Sequence, residues 1–210
     1  MYILFIISVV LLVLTIPIHF LSIEHNKLMK RYGVDKGKKY GVIFGKVSGY
    51  GHFFLCFGIW FSPQPRFRIY DYLNIILNIP KIQFSITINV VHLLISLPFI
   101  IAFVVIENYA VKAVSMKTAT THSVEKIITS GIYSYIRHPQ HLGQLLLYIG
   151  MTILSSGLYS ILFYPAYMVI IIILSKREEK ELLKEYAEAY SQYKGKVPFL
   201  IPKLGYNKIT

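Results

Sequence analysis

From Leu142 to Leu174 the chain runs for 33 residues without one charged side chain. As a single straight helix such a run would be about 50 Å long, against a bilayer core of about 30 Å. Ser155-Ser156-Gly157 supplies a break near its middle, so a hairpin of two membrane-crossing helices is expected. The basic residues separate the two layouts. Residues 23–46 hold seven Lys/Arg, 107–141 four and 175–210 eight, against three in 62–83. A hairpin therefore collects 19 on one side and 3 on the other, whereas one unbroken helix splits them 11 and 11. Positive charge gathers on the cytoplasmic side, which favours the hairpin.

The remaining spans follow from hydropathy. Met1 to Ile23 is nearly charge-free, without a basic leader segment or a small-residue cleavage site, and is expected to be a retained span. A polar loop from Glu24 to about Lys39 and a second span over Val42–Phe61 come next, stopped by Ser62-Pro63-Gln64-Pro65. Ile69–Ile79 is too short to cross and suits an interfacial or re-entrant piece. A third span covers about Phe84 to Ile106, with Pro98 as a candidate kink. The expected fold is an all-α integral membrane protein. Its five transmembrane helices put the N-terminus outside, and the last two form a hairpin that continues into a cytoplasmic C-terminal extension. Residues 1–210 read as a single membrane domain, with three N-terminal spans in 1–110.

Composition agrees. The chain is 55% hydrophobic and 15% charged, where soluble domains carry about a quarter. The net charge of +12 is accounted for by residues flanking the spans and facing membrane lipid, so no nucleic-acid partner is expected. The single cysteine, Cys56, leaves no intrachain disulfide and no multi-cysteine metal site.

A hairpin brings its two ends together, so Arg137, His138 and His141 should meet Glu178 and Glu179 at the membrane boundary. Helical phase distinguishes the two glutamates. Glu178, Glu181, Glu185 and Glu188 form an acidic stripe, which makes Glu178 a candidate surface residue. Glu179 shares a face with Leu183, Tyr186, Tyr190 and Tyr193 and needs a partner or ligand. His19, His52 and His92 sit singly within apolar spans, without metal-ligand spacing, and suit interhelical hydrogen bonds; no metal is expected.

The run Gly131-x-Tyr133-x-Tyr135-x-Arg137-His138-Pro139-x-His141-x-Gly143 resembles the signature of the isoprenylcysteine carboxyl methyltransferase family and its phospholipid methyltransferase relatives. So does the tail, with Glu178-Glu179, then Tyr186 to Tyr193, Val197-Pro198 and Pro202. The likeness covers residues 123–202. It implies an S-adenosylmethionine site built from Tyr133, Arg137, His138, Pro139, His141, Gly143, Glu178, Glu179, Val197 and Pro198. Glu188, Tyr190 and Lys196 are implied on the reacting side. It also implies methyl transfer to a lipophilic or prenylated substrate, with the carboxylate of an isoprenylcysteine-like molecule the expected acceptor. A carboxylate nucleophile is ionised at neutral pH and needs no base, whereas an amine must first lose a proton.

The chain departs from the family pattern at four places. His141 stands for a tyrosine, Ala187 for a glycine, Ala189 for a glutamate, and Phe199 for a basic residue. Phospholipids and other small lipophilic amines or thiols remain alternative acceptors. A nicotinamide-dependent reductase of related architecture and a non-catalytic membrane binding protein are the alternative functions. The C-terminal Gly205–Thr210 has no prenylation box, so the chain is not expected to be a prenylated substrate itself.

Overall fold

In an apolar medium every backbone N–H and C=O must be bonded within its own segment, so charge-free runs become helices. The computed structural model describes residues 2–69, 73–79, 84–114 and 127–202, and among these it has six α-helices. They are α1 (Ile3–Ile23), α2 (His25–Tyr32), α3 (Val34–Phe61), α4 (Val90–Val114), α5 (Pro139–Ser155) and α6 (Leu158–Lys196). The first four residues of the segment resembling the methyltransferases, 123–126, and the C-terminal 203–210 lie outside the described residues.

α1 packs along α3 and α4 along α5, while α6 closes against α1 and α5. Gly143 and Gly150 make the α4–α5 contact close. A Cβ at Gly150 would stand 3.0 Å from Phe99 and one at Gly143 3.3 Å from Phe103, the small-residue packing typical of helices in lipid. The core lies between the helices, around Leu12, Trp60, Tyr148, Tyr167 and Ile171. The Tyr148 and Tyr167 rings stack there with centroids 4.2 Å apart. Ile3, Leu4, Ile6, Leu94, Ile101 and Leu162 point outward, an arrangement stable only against lipid. α1, α3, α4 and α6 are each long and apolar enough to cross a membrane, and α5 is shorter, at 17 residues. The protein is an integral membrane protein.

The hairpin break falls where expected. α5 ends at Ser155, Ser156 takes a left-handed conformation (φ 57°), and α6 starts at Leu158. The segment after α3 is fastened to this turn. Phe67 N–H donates to Ser156 O (2.9 Å), Leu158 N–H to Pro65 O (2.9 Å), and Arg66 Nη1 to Ser155 O (2.6 Å). Of the histidines expected to bridge helices, His52 and His19 do so, and His92 reaches the α5–α6 turn instead. His52 Nε2 is 2.8 Å from Tyr167 Oη, His19 Nε2 is 3.2 Å from Glu178 Oε1, and His92 pairs with Ser156 Oγ.

Two expectations need correction. Glu24–Lys39 is not a loop: α2 fills half of it, and α3 begins at Val34 after Gly33 (φ 81°). The Lys, Arg, Leu and Met residues there are good helix formers, and charge alone does not end a helix. The third span starts at Val90 rather than Phe84, because Asn74–Ile79 and Phe84–Asn89 pair as an antiparallel hairpin in the register Asn74↔Asn89 to Ile79↔Phe84. We label these strands β1 and β2. Phe84-Ser85-Ile86-Thr87-Ile88-Asn89 alternates apolar and polar strictly, the period of a strand. The fold is therefore helical with one small β-hairpin.

Candidate active site

Proline fixes where the site begins. Pro139 is disfavoured inside a helix but suits its first turn, and it keeps the preceding residue out of the helical region. His138 accordingly sits at φ −123°, ψ 61° as the cap of α5. The Arg137–His138 backbone then bonds to the segment after α6. Arg137 N–H donates to Pro198 O (2.9 Å) and His138 N–H to Phe199 O (3.2 Å). Pro198 cannot continue a helix, so Val197–Phe199 is free to lie beside the Arg-His-Pro turn.

Side chains complete a clamp. Arg137 Nε donates to Glu179 Oε1 (2.7 Å), and Nη1 donates to the carbonyls of Lys194 and Val197, both at 2.7 Å. Lys194 Nζ reaches the other Glu179 oxygen at 3.0 Å, and His138 Nε2 lies 3.2 Å from Oε1. The Tyr193 hydroxyl donates to Tyr133 O (2.7 Å). The charge-free part of α6, Leu158 to Ser175, is about 27 Å long and matches the bilayer core, so this clamp lies beyond it. Burial raises the Glu179 pKa, but the hydrogen bonds of His138 and Lys194 and the charge of Arg137 outweigh that and hold it at about 2. Burial lowers the His138 pKa, and the bonds to Glu178 and Glu179 more than reverse this, leaving it above its ordinary value.

Glu178 does not lie on a solvent face, contrary to the stripe assignment. Its carboxylate is ringed by His19 (3.2 Å), His138 Nδ1 (3.6 Å) and His141 Nε2 (3.8 Å). α1 and α5 both pack against this side of α6, which phase within α6 alone does not show. Despite burial, these histidines hold the Glu178 pKa well below the carboxylate range. His141 Nδ1 is 2.7 Å from Ser175 Oγ, and its ring stacks on His138 with centroids 5.4 Å apart. The ligating atoms of His138, His141 and Glu178 all lie within 4.8 Å of one another, close enough to hold one metal ion.

Two cavities meet here. One opens beside the clamp, walled by Tyr133, Arg137, His138, Glu178, Leu182 and Tyr190. The other, about 280 Å³, lies between the helices, with Trp60, Phe103, Glu107 and Tyr167 in its wall. Gln140, His141 and Gln144 border both.

Of the residues singled out from the sequence, the structure gathers Tyr133, Arg137, His138, Pro139, His141, Glu178, Glu179, Val197 and Pro198 around the clamp. Tyr190 is buried on the cavity wall, and burial together with Glu179 keeps its hydroxyl pKa high. Gly143 faces α4 rather than the clamp. Glu188 and Lys196 are exposed and border neither cavity, and Glu188 accepts a bond from Gln192. Sequence reading missed Glu107, Gln140 and Gln144. An acidic residue directly after the apolar run of α4 was the signal for Glu107.

Residues 86–189 match the phospholipid methyltransferase family. The Protein-S-isoprenylcysteine O-methyltransferase of Schizosaccharomyces pombe (strain 972 / ATCC 24843) is 34% identical over 79 residues, covering 36% of this chain and 33% of that protein. Methanethiol S-methyltransferase of Crocosphaera subtropica (strain ATCC 51142 / BH68) is 31% identical over 80 residues, or 38% of this chain and 31% of that one. A Delta(14)-sterol reductase of Mus musculus is 29% identical over 89 residues, 41% of this chain and 21% of that one. The chain thus spans about a third of the length of the methyltransferases it matches. No solved structure matches it at a significant level. The stretch that holds both Arg137 and Glu179 is a domain of the phospholipid methyltransferase and isoprenylcysteine carboxyl methyltransferase family.

Proposed function

We propose that the protein transfers a methyl group from S-adenosylmethionine to a lipophilic acceptor drawn from the bilayer. The observation that carries this reading is the shared wall of the two cavities. A compartment at the clamp that carries Arg137, His138 and Glu178 adjoins an aromatic-lined compartment between the helices, and among the described residues Gln140, His141 and Gln144 are common to both. Donor and acceptor must be aligned across such a boundary for a direct displacement.

The donor set suits S-adenosylmethionine. Arg137 keeps Nη2 free of hydrogen bonds among the described residues and can meet a carboxylate. Glu178 offers negative charge to an ammonium or ribose hydroxyls, and Leu182, Tyr190 and Tyr193 offer an apolar wall to adenine. The bound molecule supplies a methyl on a sulfonium, already activated for transfer. The protein holds and aligns it and excludes water.

We place the clamp in the cytoplasm, with five crossings, the N-terminus outside and residues 1–210 as one membrane domain. Along the chain, α1, α3, α4, α5 and α6 alternate between the end with Arg66 and Ser155 and the end with Glu24 and Arg177, which pair with one another. The acceptor expected from the likeness is an isoprenylcysteine-like carboxylate, and the methanethiol relatives add thiols as a second class. The likeness to a sterol reductase keeps a nicotinamide-dependent reductase as a second reading. Calorimetric titration of the protein in nanodiscs with S-adenosylmethionine and with NADPH separates the two. Binding of NADPH alone would overturn the methyltransferase reading.

A further inference from the structure

His138 and His141 stand three residues apart at the start of α5, with their rings stacked, and α6 presents Glu178 to both. His138 Nδ1 lies 3.6 Å from Glu178 Oε2, and His141 Nε2 lies 3.8 Å from Glu178 Oε1. Both separations exceed a direct hydrogen bond, so hydrogen bonding to the carboxylate does not explain why two imidazoles converge on it. They fit the edge of a coordination shell. With metal–ligand bonds of about 2.1 Å, neighbouring ligand atoms in a tetrahedral site lie about 3.4 Å apart. The ligating atoms of the three residues all lie within 4.8 Å of one another, so small side-chain rotations close them around one ion.

The groups behind the cluster set it apart from a chance meeting. A metal-bound histidine gives one ring nitrogen to the ion and is fixed through the other by an outer partner. His138 Nε2 lies 3.2 Å from the Glu179 carboxylate, which can only accept, so Nε2 carries a proton. Ser175 Oγ donates to Ile171 O (2.8 Å) and therefore accepts from His141 Nδ1 (2.7 Å). In the neutral rings these bonds leave a lone pair on His138 Nδ1 and another on His141 Nε2, both turned toward Glu178. Glu178 has its own orienting partner in His19 Nε2 at 3.2 Å. Two nitrogen lone pairs and a carboxylate aimed at one point form a cation site with every ligand held from behind.

Two imidazoles and one carboxylate suit a borderline divalent transition ion, whereas Ca2+ and Mg2+ take about six or more oxygen ligands. All three residues border the cavity beside the clamp, so a further coordination position opens into it. Three protein ligands with one open position distinguish a reactive zinc site from a closed structural one. We propose that His138 Nδ1, His141 Nε2 and Glu178 bind a divalent transition ion of the Zn2+ class, with its open position toward the clamp cavity. The proposal goes beyond the methyltransferase reading without resting on it, and it replaces the sequence expectation of no metal. Residue 141 is decisive, because the family pattern has tyrosine there and this chain supplies the second imidazole. Glu178 also serves the donor in the reading above, so the test is run without S-adenosylmethionine and its outcome does not depend on that reading.

The untagged full chain, in nanodiscs of zwitterionic lipid and stripped with EDTA, is titrated calorimetrically with Zn2+ and with Mg2+. Wild type should bind one Zn2+ per chain, at least roughly a hundredfold more tightly than Mg2+. His141→Tyr, which restores the family residue, should lose at least about tenfold of the Zn2+ affinity. His52→Gln alters a histidine that pairs with Tyr167 outside the cluster and should leave the affinity unchanged. Co2+ bound to wild type should show the strong visible absorption of a four-coordinate ion. No saturable Zn2+ binding, an equal loss in His52→Gln, or wild-type affinity in a His141→Tyr protein of normal melting temperature would overturn the proposal. If His141→Tyr does not fold, the Co2+ spectrum of wild type decides, and the weak bands of an octahedral ion overturn it.

Discussion

Arg137 Nε lies 2.7 Å from Glu179 Oε1, joining the turn before α5 to the extension of α6 across 42 residues of sequence. The same guanidinium spends Nη1 on the carbonyls of Lys194 and Val197. Arg137 is thus a fastener of the site's walls as well as a candidate ligand, and the two roles predict one outcome for Arg137→Lys. A lysine keeps the charge near Glu179 but has no planar fork to hold two carbonyls as well. Losing charge-assisted bonds of this kind costs about 1.5–3 kcal/mol. We expect a lower melting temperature together with at least tenfold weaker S-adenosylmethionine binding, read by thermal unfolding and calorimetry in nanodiscs. Wild-type values for both would show that Arg137 does neither job.

Ala187 sits at φ 37°, ψ −108° inside α6, a conformation that side chains with a Cβ rarely adopt. The family pattern has glycine at this place. Forcing a non-glycine residue there costs about 1–3 kcal/mol, while glycine itself carries an entropic cost of roughly 0.5–1 kcal/mol. Ala187→Gly should therefore stabilise the protein by about 1 kcal/mol, against the usual direction of an alanine-to-glycine change in a helix. Urea or thermal unfolding measures it, and destabilisation would mean that α6 passes through residue 187 without the kink.

The clamp also sets a pH window. Glu179 is held at about 2 against 4.5, so its contribution is complete above pH 4.5 and is lost as the pH falls toward 2. His138 is raised above 6.5, so its contribution is complete below pH 6.5 and is lost as the pH rises through its folded value. Melting temperature should be highest between about pH 4.5 and 6.5 for these two groups. His138→Gln should flatten the decline on the alkaline side and move the acid side to higher pH, because His138 also helps hold Glu179 low. An unchanged alkaline limb in the variant would remove His138 as its cause.

What could be read from sequence followed local rules. Ser155-Ser156-Gly157 broke an over-long apolar run, and the Arg-His-Pro turn and Glu179 met as expected because a hairpin closes on itself. What was missed needed a neighbour from elsewhere in the chain. Glu178 looked solvent-facing by its phase within α6, yet His19 arrives from α1, 159 residues away in sequence, to meet it. Glu107 looked like the end of a span until Gln140 on α5 and the cavity beyond gave it a context. The hairpin of β1 and β2 was local and legible in the alternation from Phe84 to Asn89, but hydropathy averaged over a long window hid it.

Topology provides the remaining prediction. The pair Arg177–Glu24 ties the end of α1 to α6 at the site end, and Arg66–Ser155 ties the segment after α3 to the α5–α6 turn at the other. Lys38 and Gly195 should then face one side of the membrane and Pro63 the opposite side; all three are exposed. In the topology proposed above the first side is the cytoplasmic one, where the basic residues at 23–46, 107–141 and 175–210 would gather. Single cysteines at these positions, in a Cys56→Ser background, can be labelled with a membrane-impermeant maleimide in intact cells and again after permeabilisation. Pro63→Cys should label in intact cells, and Lys38→Cys and Gly195→Cys only after permeabilisation. Labelling of Lys38→Cys and Gly195→Cys from opposite sides would leave an odd number of crossings between these two positions instead of the four formed by α3, α4, α5 and α6, and neither the shared cavity wall nor the Arg137–Glu179 pair could then form as described.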